Sequence, residues 1–198
     1  DAKLVIDILD KLDIFNLVLT KSRLTGMPPD RVQASVATLD SLYIREARKR
    51  GLDCPSSSFA EKEKGITGGY VMNPNTGIHD NVAVLDFKSL YPSIIVTFNI
   101  DPWSFSDKGT IVSPNGARFV NQKGILPDLI EGIWSERDKA KKRNDDVASY
   151  ALKVIMNSFF GVLANAKCRF FNPEMANAIT HFGQYIIKNT AKEVKSKG

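Results

Sequence analysis

Residues 127–163 read PDLIEGIWSERDKAKKRNDDVASYALKVIMNSFFGVL, and this stretch decides most of the architecture. Apolar residues recur every three or four positions on both sides of the polar run KKRNDD, which is typical of two amphipathic helices. The spacing predicts one helix from about Pro127 to Arg143 and a second from about Asp145 to Leu163. The connection between them is too short for any arrangement except an antiparallel helical hairpin.

Cationic and polar side chains recur at helical spacing on both arms of this hairpin. Arg137 and Lys141 are four residues apart, as are Lys153 and Asn157, so each pair shares one helix face. Antiparallel pairing would set Arg137 roughly level with Lys153. Three cations in one groove suit a triphosphate, because Arg offers a planar fork and Lys a point charge. The alternative is a solvated basic face, which we favour for the other basic residues near the turn, Lys139, Lys142 and Arg143.

Upstream, residues 81–95 read NVAVLDFKSLYPSII. The apolar, β-branched run over 81–87 predicts a buried strand, and Asp86 falls at its end. A carboxylate is costly to desolvate there, so we expect it to have a partner. A bound cation is one candidate, and a strand-end cap or a salt bridge is the alternative.

A short helix is predicted directly after this strand. Ser89, Leu90 and Tyr91 begin it, and Pro92 suits the first turn because the N–H it lacks would have no intrahelical partner. The free N–H groups at such a helix start attract anions. A carboxylate three residues before an anion-binding helix end fits a metal-bound polyphosphate.

The two ends of the chain are predicted to be helical. Apolar spacing over residues 1–25 indicates one amphipathic helix, and a second is expected from Asp30, as its N-cap, to Arg50. Asn172 and Pro173 open a last helix, as N-cap and first helical position.

The middle of the chain is predicted to contain a linker, two strands and a hairpin turn. Residues 53–68 are polar and read as a linker, whereas residues 70–74 and 81–87 read as strands. A hairpin turn is expected around residues 114–116. Together with the helices, these elements predict an α+β fold, a β-sheet with helices plus a helical hairpin.

Composition excludes several classes of protein. The chain has 198 residues, of which 43% are hydrophobic and 25% charged, as in a globular protein of one or two domains. No apolar stretch approaches the roughly 20 residues that span a bilayer, so we expect no membrane. Two cysteines without a CxxC pair favour a reducing compartment and argue against structural zinc. Because the first residue is Asp, we expect a piece of a longer protein.

Charge is unevenly placed along the chain. The formal net charge is +5, and residues 151–198 carry seven basic and two acidic side chains. A basic segment of this kind favours an anionic partner such as nucleic acid.

Residues 86–95, DFKSLYPSII, and residues 153–161, KVIMNSFFG, resemble motifs A and B of family B DNA polymerases. The two motifs occur in the family's order, a combination that is hard to obtain by chance. The surrounding sequence is most similar to the bacterial polymerase II branch of that family. The resemblance covers nearly the whole chain, more weakly before residue 66, and implies part of a polymerase palm together with a helical-hairpin fingers subdomain.

The resemblance also implies a division of the chain into five segments. They are a helical segment from the exonuclease–palm junction at 1–52, a linker at 53–68, the first part of the palm with motif A at 69–124, the fingers hairpin with motif B at 125–163, and the start of the returning palm at 164–198.

Residue by residue, the resemblance implies that Asp86 is a catalytic, metal-binding aspartate of the palm, with the carbonyl of Phe87 as a further metal ligand. The backbone around Ser89, Leu90 and Tyr91 would bind the nucleotide's phosphates, and the Tyr91 ring would exclude ribonucleotides. The resemblance further implies that Arg137, Lys141 and Lys153 bind the triphosphate. Asn157 would line the nucleotide pocket, and Gly68 and Gly69 would contact the template.

The resemblance implies a reaction and its partners. An intact member adds deoxynucleotides to a primer end with two Mg²⁺ ions. Its partners would be primer–template DNA, deoxynucleoside triphosphates and a sliding clamp, in the nucleoid of the bacterial cytoplasm.

The chain departs from the family pattern at three places. Ile66 stands where a tyrosine precedes the paired glycines, Phe160 stands where motif B has a tyrosine, and the Asp-Thr-Asp of motif C is absent from these 198 residues. Because one aspartate cannot hold two ions, we expect the chain alone not to polymerise. The alternative interpretation is a non-catalytic module that binds nucleic acid or nucleotide.

Overall fold

Seven α-helices and a two-stranded sheet make up the computed structural model, which describes residues 2–57 and 65–197. The helices are α1 (Ala2–Lys11), α2 (Ile14–Thr25), α3 (Ser35–Lys49), α4 (Leu90–Thr97), α5 (Ile125–Lys142), α6 (Asp146–Leu163) and α7 (Pro173–Ser196), with a 3₁₀ turn at Pro29–Arg31. Strands β1 (Ile111–Val112) and β2 (Arg118–Phe119) pair antiparallel, with Ile111 opposite Phe119. The fold is therefore α+β, with helices in the majority.

The predicted helical hairpin is confirmed. Helix α5 ends next to Asn144, which takes a left-handed conformation with φ 56°. Asp145 then caps α6, since its side chain accepts a hydrogen bond of 2.9 Å from the Ala148 N–H. The two helices pack against each other along their length.

Helix α6 is the central helix of the core. It packs against α2, α3, α4, α5 and α7, and its buried apolar side chains include Leu152, Ile155, Met156, Phe159 and Leu163. By length and composition alone α6 is also apolar enough to cross a membrane. The burial of these side chains explains that apolar character equally well, because the faces of a helix that pack against other helices are apolar.

The N-terminal prediction was wrong in its boundaries. Residues 1–25 do not form one helix, because Asp13 adopts a left-handed conformation (φ 49°) and separates α1 from α2. Asp is among the few residues that tolerate this conformation. Asp30 does not cap a helix either, since it lies in the 3₁₀ turn and α3 begins at Ser35.

The strands predicted at 70–74 and 81–87 are not formed. None of residues 70–87 makes a backbone–backbone hydrogen bond with another described residue, and Val84 and Leu85 are 89% and 87% exposed. A segment of residues with high β-propensity forms a strand only when it pairs with a neighbouring strand. The described residues supply no such neighbour for residues 70–74 or 81–87. Within the predicted linker 53–68, residues 58–64 lie outside the described residues.

The turn at 114–116 and the last helix are confirmed. Gly116 has φ 90° and joins β1 to β2. The Asn172 side chain accepts hydrogen bonds from Glu174 N–H (2.9 Å) and Met175 N–H (3.1 Å) at the start of α7. Asn115 Nδ2 donates a hydrogen bond of 2.9 Å to the Glu174 carbonyl, which links the hairpin turn to the start of α7.

Candidate functional site

The start of α4 presents free backbone donors, as predicted. Ser89 precedes the helix with φ 53° and ψ 57°, and no side chain caps the helix. The Ser93 N–H closes the first turn on the Ser89 carbonyl at 2.9 Å, whereas the N–H groups of Leu90 and Tyr91 donate to no backbone carbonyl of the described residues. Such unpaired donors at a helix N-terminus form an anion-binding site.

Asp86 is exposed to solvent, so the prediction that it closes a buried strand was wrong. The reason is the unpaired state of residues 81–87. Phe87 is also exposed, at 43%. Carboxylate and carbonyl oxygens are the ligands that Mg²⁺ takes in proteins, usually one or two carboxylates together with substrate phosphates. Both oxygens fit such an ion in part, although no group of three His, Cys, Asp or Glu side chains among the described residues could hold a metal by itself.

The ring of Tyr91 joins α4 to α6. Its centroid lies 4.6 Å from that of Phe160, with the rings tilted by 50°. Two glycines border the same ring, because a Cβ at Gly183 would lie 3.4 Å from Tyr91 Cε1 and one at Gly69 would lie 3.2 Å from its hydroxyl oxygen. The phenol of Tyr91 is therefore enclosed by α6, α7 and the paired glycines.

The segment that carries the paired glycines lies along α7. Gln184 Nε2 donates to the Gly68 carbonyl at 2.9 Å, and the Thr67 N–H donates to Asn177 Oδ1 at 2.7 Å. Lys188 Nζ lies 4.7 Å above the Tyr70 ring, a distance typical of a cation–π contact. Gly69 is thus placed beside Tyr91, and its neighbours Thr67 and Gly68 are held by contacts to α7.

The cations predicted to bind a triphosphate carry no ionic partner within the described residues. Lys141 and Lys153 are exposed and Arg137 is half-buried. Arg137 Nε is buried without a hydrogen-bond partner, although a buried guanidinium normally has one. By contrast Lys139 pairs with Glu136 at 2.8 Å, which agrees with its predicted surface role.

One face of α6 runs from Lys153 to Phe160, the residue whose ring contacts Tyr91. Lys153 and Asn157 are both exposed and lie one turn apart, and Phe160 follows three residues later. Because Phe160 contacts Tyr91, this face reaches from the hairpin to the start of α4. The structure therefore brings Ser89, Leu90 and Tyr91 next to the helix that carries Lys153 and Asn157. Convergence of Arg137 and Lys141 on the same point stays a prediction.

A buried carboxylate beyond the C-terminal end of α4 was missed in the sequence. Asp101, which the sequence pattern places in a loop, is fully buried and accepts hydrogen bonds from Tyr43, Trp103 and Leu126. Burial raises the pKa of Asp101, against the opposing effect of these donors, and burial together with the Asp101 charge raises the pKa of Tyr43. An Asp-Pro pair is a turn signal, but it does not announce burial.

Comparison with known proteins identifies the family. A sequence profile of DNA polymerase family B matches residues 32–198. DNA polymerase II of Escherichia coli is 38% identical over the whole chain, which covers 26% of that enzyme.

The chain belongs to DNA polymerase family B.

The chain is also similar to a further DNA polymerase and to a solved structure of a family B enzyme. A DNA polymerase of Thermococcus gorgonarius is 31% identical over 93% of the chain, which covers 27% of that enzyme. The solved structure of the family B DNA polymerase from Pyrobaculum calidifontis superimposes with a TM-score of 0.74 and 26% identity, covering 96% of this chain and 28% of that one. The chain thus spans about a quarter of the length of these family B polymerases.

Proposed function

We propose that this chain is the nucleotide-binding part of a DNA polymerase active site, and that the whole protein adds deoxynucleotides to a primer end on a DNA template by two-metal phosphoryl transfer. The contact between Tyr91 and Phe160 carries this proposal. It joins the anion-binding start of α4 to the cationic face of α6, and these are the two halves of a triphosphate site.

Asp86 and the Phe87 carbonyl are the groups proposed to bind Mg²⁺. Both are exposed, and oxygen ligands of this kind suit the ion. Bound there beside the phosphates, Mg²⁺ would supply charge neutralisation for phosphoryl transfer. Asp86 would contribute a carboxylate oxygen as a ligand for that ion.

The phosphates are proposed to bind between the start of α4 and the hairpin. The free N–H groups of Leu90 and Tyr91, together with the backbone of Ser89, would donate hydrogen bonds to oxygens of the inner phosphates. Lys153 and Lys141 would neutralise the outer phosphates as mobile point charges, and Arg137 would bind them as a fork. Because Nε of Arg137 is itself buried, the terminal nitrogens of the guanidinium group would make this contact.

Sugar and base are proposed to lie over the Tyr91 ring. Because that ring is fixed by Phe160, Gly69 and Gly183, it cannot move aside for a 2′-hydroxyl group and would act as a steric gate. Asn157, one turn before Phe160 on α6, would line the pocket. Gly68 and Gly69 would contact the template, because their backbone lies beside Tyr91 with no side chain to keep DNA away.

The remaining properties of the whole protein follow from its family. Primer–template DNA and deoxynucleoside triphosphates are its proposed substrates, and a sliding clamp is a proposed partner. Its proposed location is the nucleoid in the cytoplasm of a bacterium, and no association with a membrane is proposed. The five segments 1–52, 53–68, 69–124, 125–163 and 164–198 are kept as proposed domains.

One experiment tests nucleotide binding directly. Deoxyadenosine triphosphate with Mg²⁺ is titrated into the chain by calorimetry, and the Lys153→Ala variant is expected to bind about tenfold more weakly, the loss of one charge-assisted contact. Lys142→Ala, an exposed lysine at the end of α5, is the matched control and is expected to bind like the parent. Equal affinities of the parent and Lys153→Ala would show that Lys153 does not bind the triphosphate.

A second experiment tests catalysis. The 198-residue chain, assayed for primer extension with Mg²⁺, is expected to show no more synthesis than its Asp86→Ala variant, because a single aspartate cannot hold two ions. Template-dependent synthesis above that variant would contradict the expectation.

The second candidate function is a module that binds nucleic acid without chemistry. The basic surface of α7 favours it, since Lys188, Lys192 and Lys195 are exposed. DNA binding that weakens steeply with salt, combined with no affinity for the triphosphate, would select this function over the first.

A further inference from the structure

A buried polar cluster holds the N-terminus of α5. The fully buried carboxylate of Asp101 accepts hydrogen bonds from the Leu126 N–H and the Trp103 N–H, both at 2.8 Å. The Tyr43 hydroxyl donates to the same carboxylate, with its oxygen 2.9 and 3.0 Å from the two carboxylate oxygens. Asp101 thus links three parts of the chain, namely α3, the turn after α4 and the first turn of α5.

Asn99 makes a second link between the same segments. Its Oδ1 accepts from the Gly124 N–H at 2.8 Å, and its Nδ2 donates to the carbonyls of Val120 (2.6 Å) and Gln122 (2.8 Å). Asn99 takes a left-handed conformation, with φ 51°. Because residues 99 and 101 both bond the segment that leads into α5, the end of α4 and the start of α5 are joined at several points.

Steric fit adds to these hydrogen bonds. Gly124 lies so close to Asp101 that a Cβ at position 124 would overlap the Asp101 side chain. The start of α5 therefore cannot slide towards Asp101, and the hydrogen bond from Leu126 keeps it from moving away. Together these contacts hold the first turn of α5 against the segment after α4, at the base of a helix that packs on α6 along the rest of its length.

The angle of α5 matters because a small tilt at the start of a long helix displaces its far end by several ångströms. Arg137 lies twelve residues beyond the first residue of the helix, or about 18 Å along its axis at 1.5 Å per residue. A tilt of about 10° at the base would therefore move Arg137 by about 3 Å. A charge-assisted hydrogen bond does not survive such a displacement.

We propose that Asp101 is a positioning residue for triphosphate binding, which sets the angle between α4 and α5 and hence the distance of Arg137 and Lys141 from the start of α4. This inference rests on the proposed function. Asp101 touches no substrate in this role, and it acts through α5.

Electron spin resonance measures this angle without any nucleotide. Spin labels are placed at Thr97→Cys, at the end of α4, and at Lys142→Cys, at the end of α5, after Cys54→Ser and Cys168→Ala have removed the native thiols. In Asp101→Asn one donor faces an amide N–H₂ in place of an oxygen. The distance distribution between the labels is expected to shift or broaden by about 3 Å or more.

Triphosphate affinity is the second measurement. Asp101→Asn is expected to bind deoxyadenosine triphosphate with Mg²⁺ about tenfold more weakly, the loss of one charge-assisted contact from Arg137. Ile179→Val, which loses one buried methyl group in α7, is the control for destabilisation alone. It is expected to keep both the label distance and the affinity of the parent.

The outcomes separate this inference from the proposed function. If the parent does not bind the triphosphate, the proposed function fails, and the label distances still decide whether Asp101 sets the angle. Unchanged distances in Asp101→Asn, or equal changes in Ile179→Val, would overturn the inference. If Asp101→Asn does not fold, Tyr43→Phe takes its place, since it keeps the carboxylate but removes the donor from α3. It is expected to broaden the distances to a smaller extent, and an unaltered distribution would overturn the inference.

Discussion

Phe98, directly after α4, stacks face to face on Phe182 of α7, with ring centroids 3.6 Å apart and planes 6° from parallel. Gly183, the next residue of α7, lies against Tyr91. The stacked pair therefore holds α7 at the position where it closes one side of the Tyr91 ring.

Removal of this pair is expected to destabilise the protein strongly. Phe182→Ala should lower the free energy of unfolding by about 3–5 kcal/mol, because it deletes a buried aromatic side chain and leaves a cavity. Urea unfolding followed by circular dichroism measures the change. Tyr185→Ala, an exposed aromatic on the same helix, is the control and should change it by no more than about 0.5 kcal/mol. Similar values for the two variants would show that the stacked pair contributes little.

Selection against ribonucleotides should depend on the ring of Tyr91. Tyr91→Ala is expected to bring the affinities for deoxyadenosine and adenosine triphosphates closer together, because the enclosed ring no longer blocks a 2′-hydroxyl. Tyr91→Phe keeps the ring and its contact with Phe160, so it should keep the discrimination of the parent. Competition binding with both nucleotides gives the ratio. A parent ratio retained in Tyr91→Ala would place the sugar elsewhere.

Metal dependence should report on Asp86. The parent is expected to bind the triphosphate more tightly with Mg²⁺ than with excess chelator, and Asp86→Asn should lose about a factor of ten only when Mg²⁺ is present. Asp107→Asn replaces an exposed aspartate in another loop and should behave like the parent. A loss that is the same with and without Mg²⁺ would mean that Asp86 does not act through the metal.

The stability contributed by Asp101 should fall as the pH rises. Burial raises the pKa of Asp101 above its unfolded value of about 4, so the folded state binds the proton more tightly than the unfolded state does. Its contribution is complete below pH 4 or so and is lost as the pH rises through the folded-state pKa.

The difference in unfolding free energy between the parent and Asp101→Asn isolates this contribution, since other groups titrate alike in both. That difference should favour the parent more at pH 4.5 than at pH 7.5. The opposite trend would show that the donors from Leu126, Trp103 and Tyr43 outweigh burial.

Loss of the α7 cap should have a modest effect. Asn172→Ala is expected to lower the free energy of unfolding by about 1 kcal/mol, because the N–H groups of Glu174 and Met175 lose their acceptor. Asn189→Ala, an exposed position within the same helix, should be neutral or slightly stabilising by helix propensity. Thermal unfolding of both variants gives the comparison, and an unaffected Asn172→Ala would mean that water replaces the cap.

Local signals in the sequence were enough to place the helical hairpin, the last helix and the start of α4. Asn172 caps the helix it was predicted to cap, because the N–H groups it bonds are its neighbours in the sequence. Asp145, predicted only as the approximate start of the second hairpin helix, is its N-cap. The start of α4 was predicted from Pro92, whose missing N–H would have no intrahelical partner in the first turn. The hairpin followed from apolar spacing and a short connection.

Features that depend on distant partners were not predictable. The run at 81–87 has the residues of a strand, but pairing requires a second strand, and propensity carries no information about it. Asp13 breaks a helix that spacing alone would continue. The burial of Asp101 depends on Tyr43, which lies far away along the chain, and on Leu126, so no local pattern indicated it.

The run Val82–Leu85, which pairs with no strand among residues 2–57 and 65–197, is expected to affect how this chain behaves in solution. An apolar segment with open backbone donors and acceptors is a template on which another chain can add a strand. Two copies could therefore join at this point as concentration rises, next to Asp86 and the start of α4. Titrations with nucleotide should be run at several protein concentrations, since self-association at this segment would compete with the ligand for the same surface.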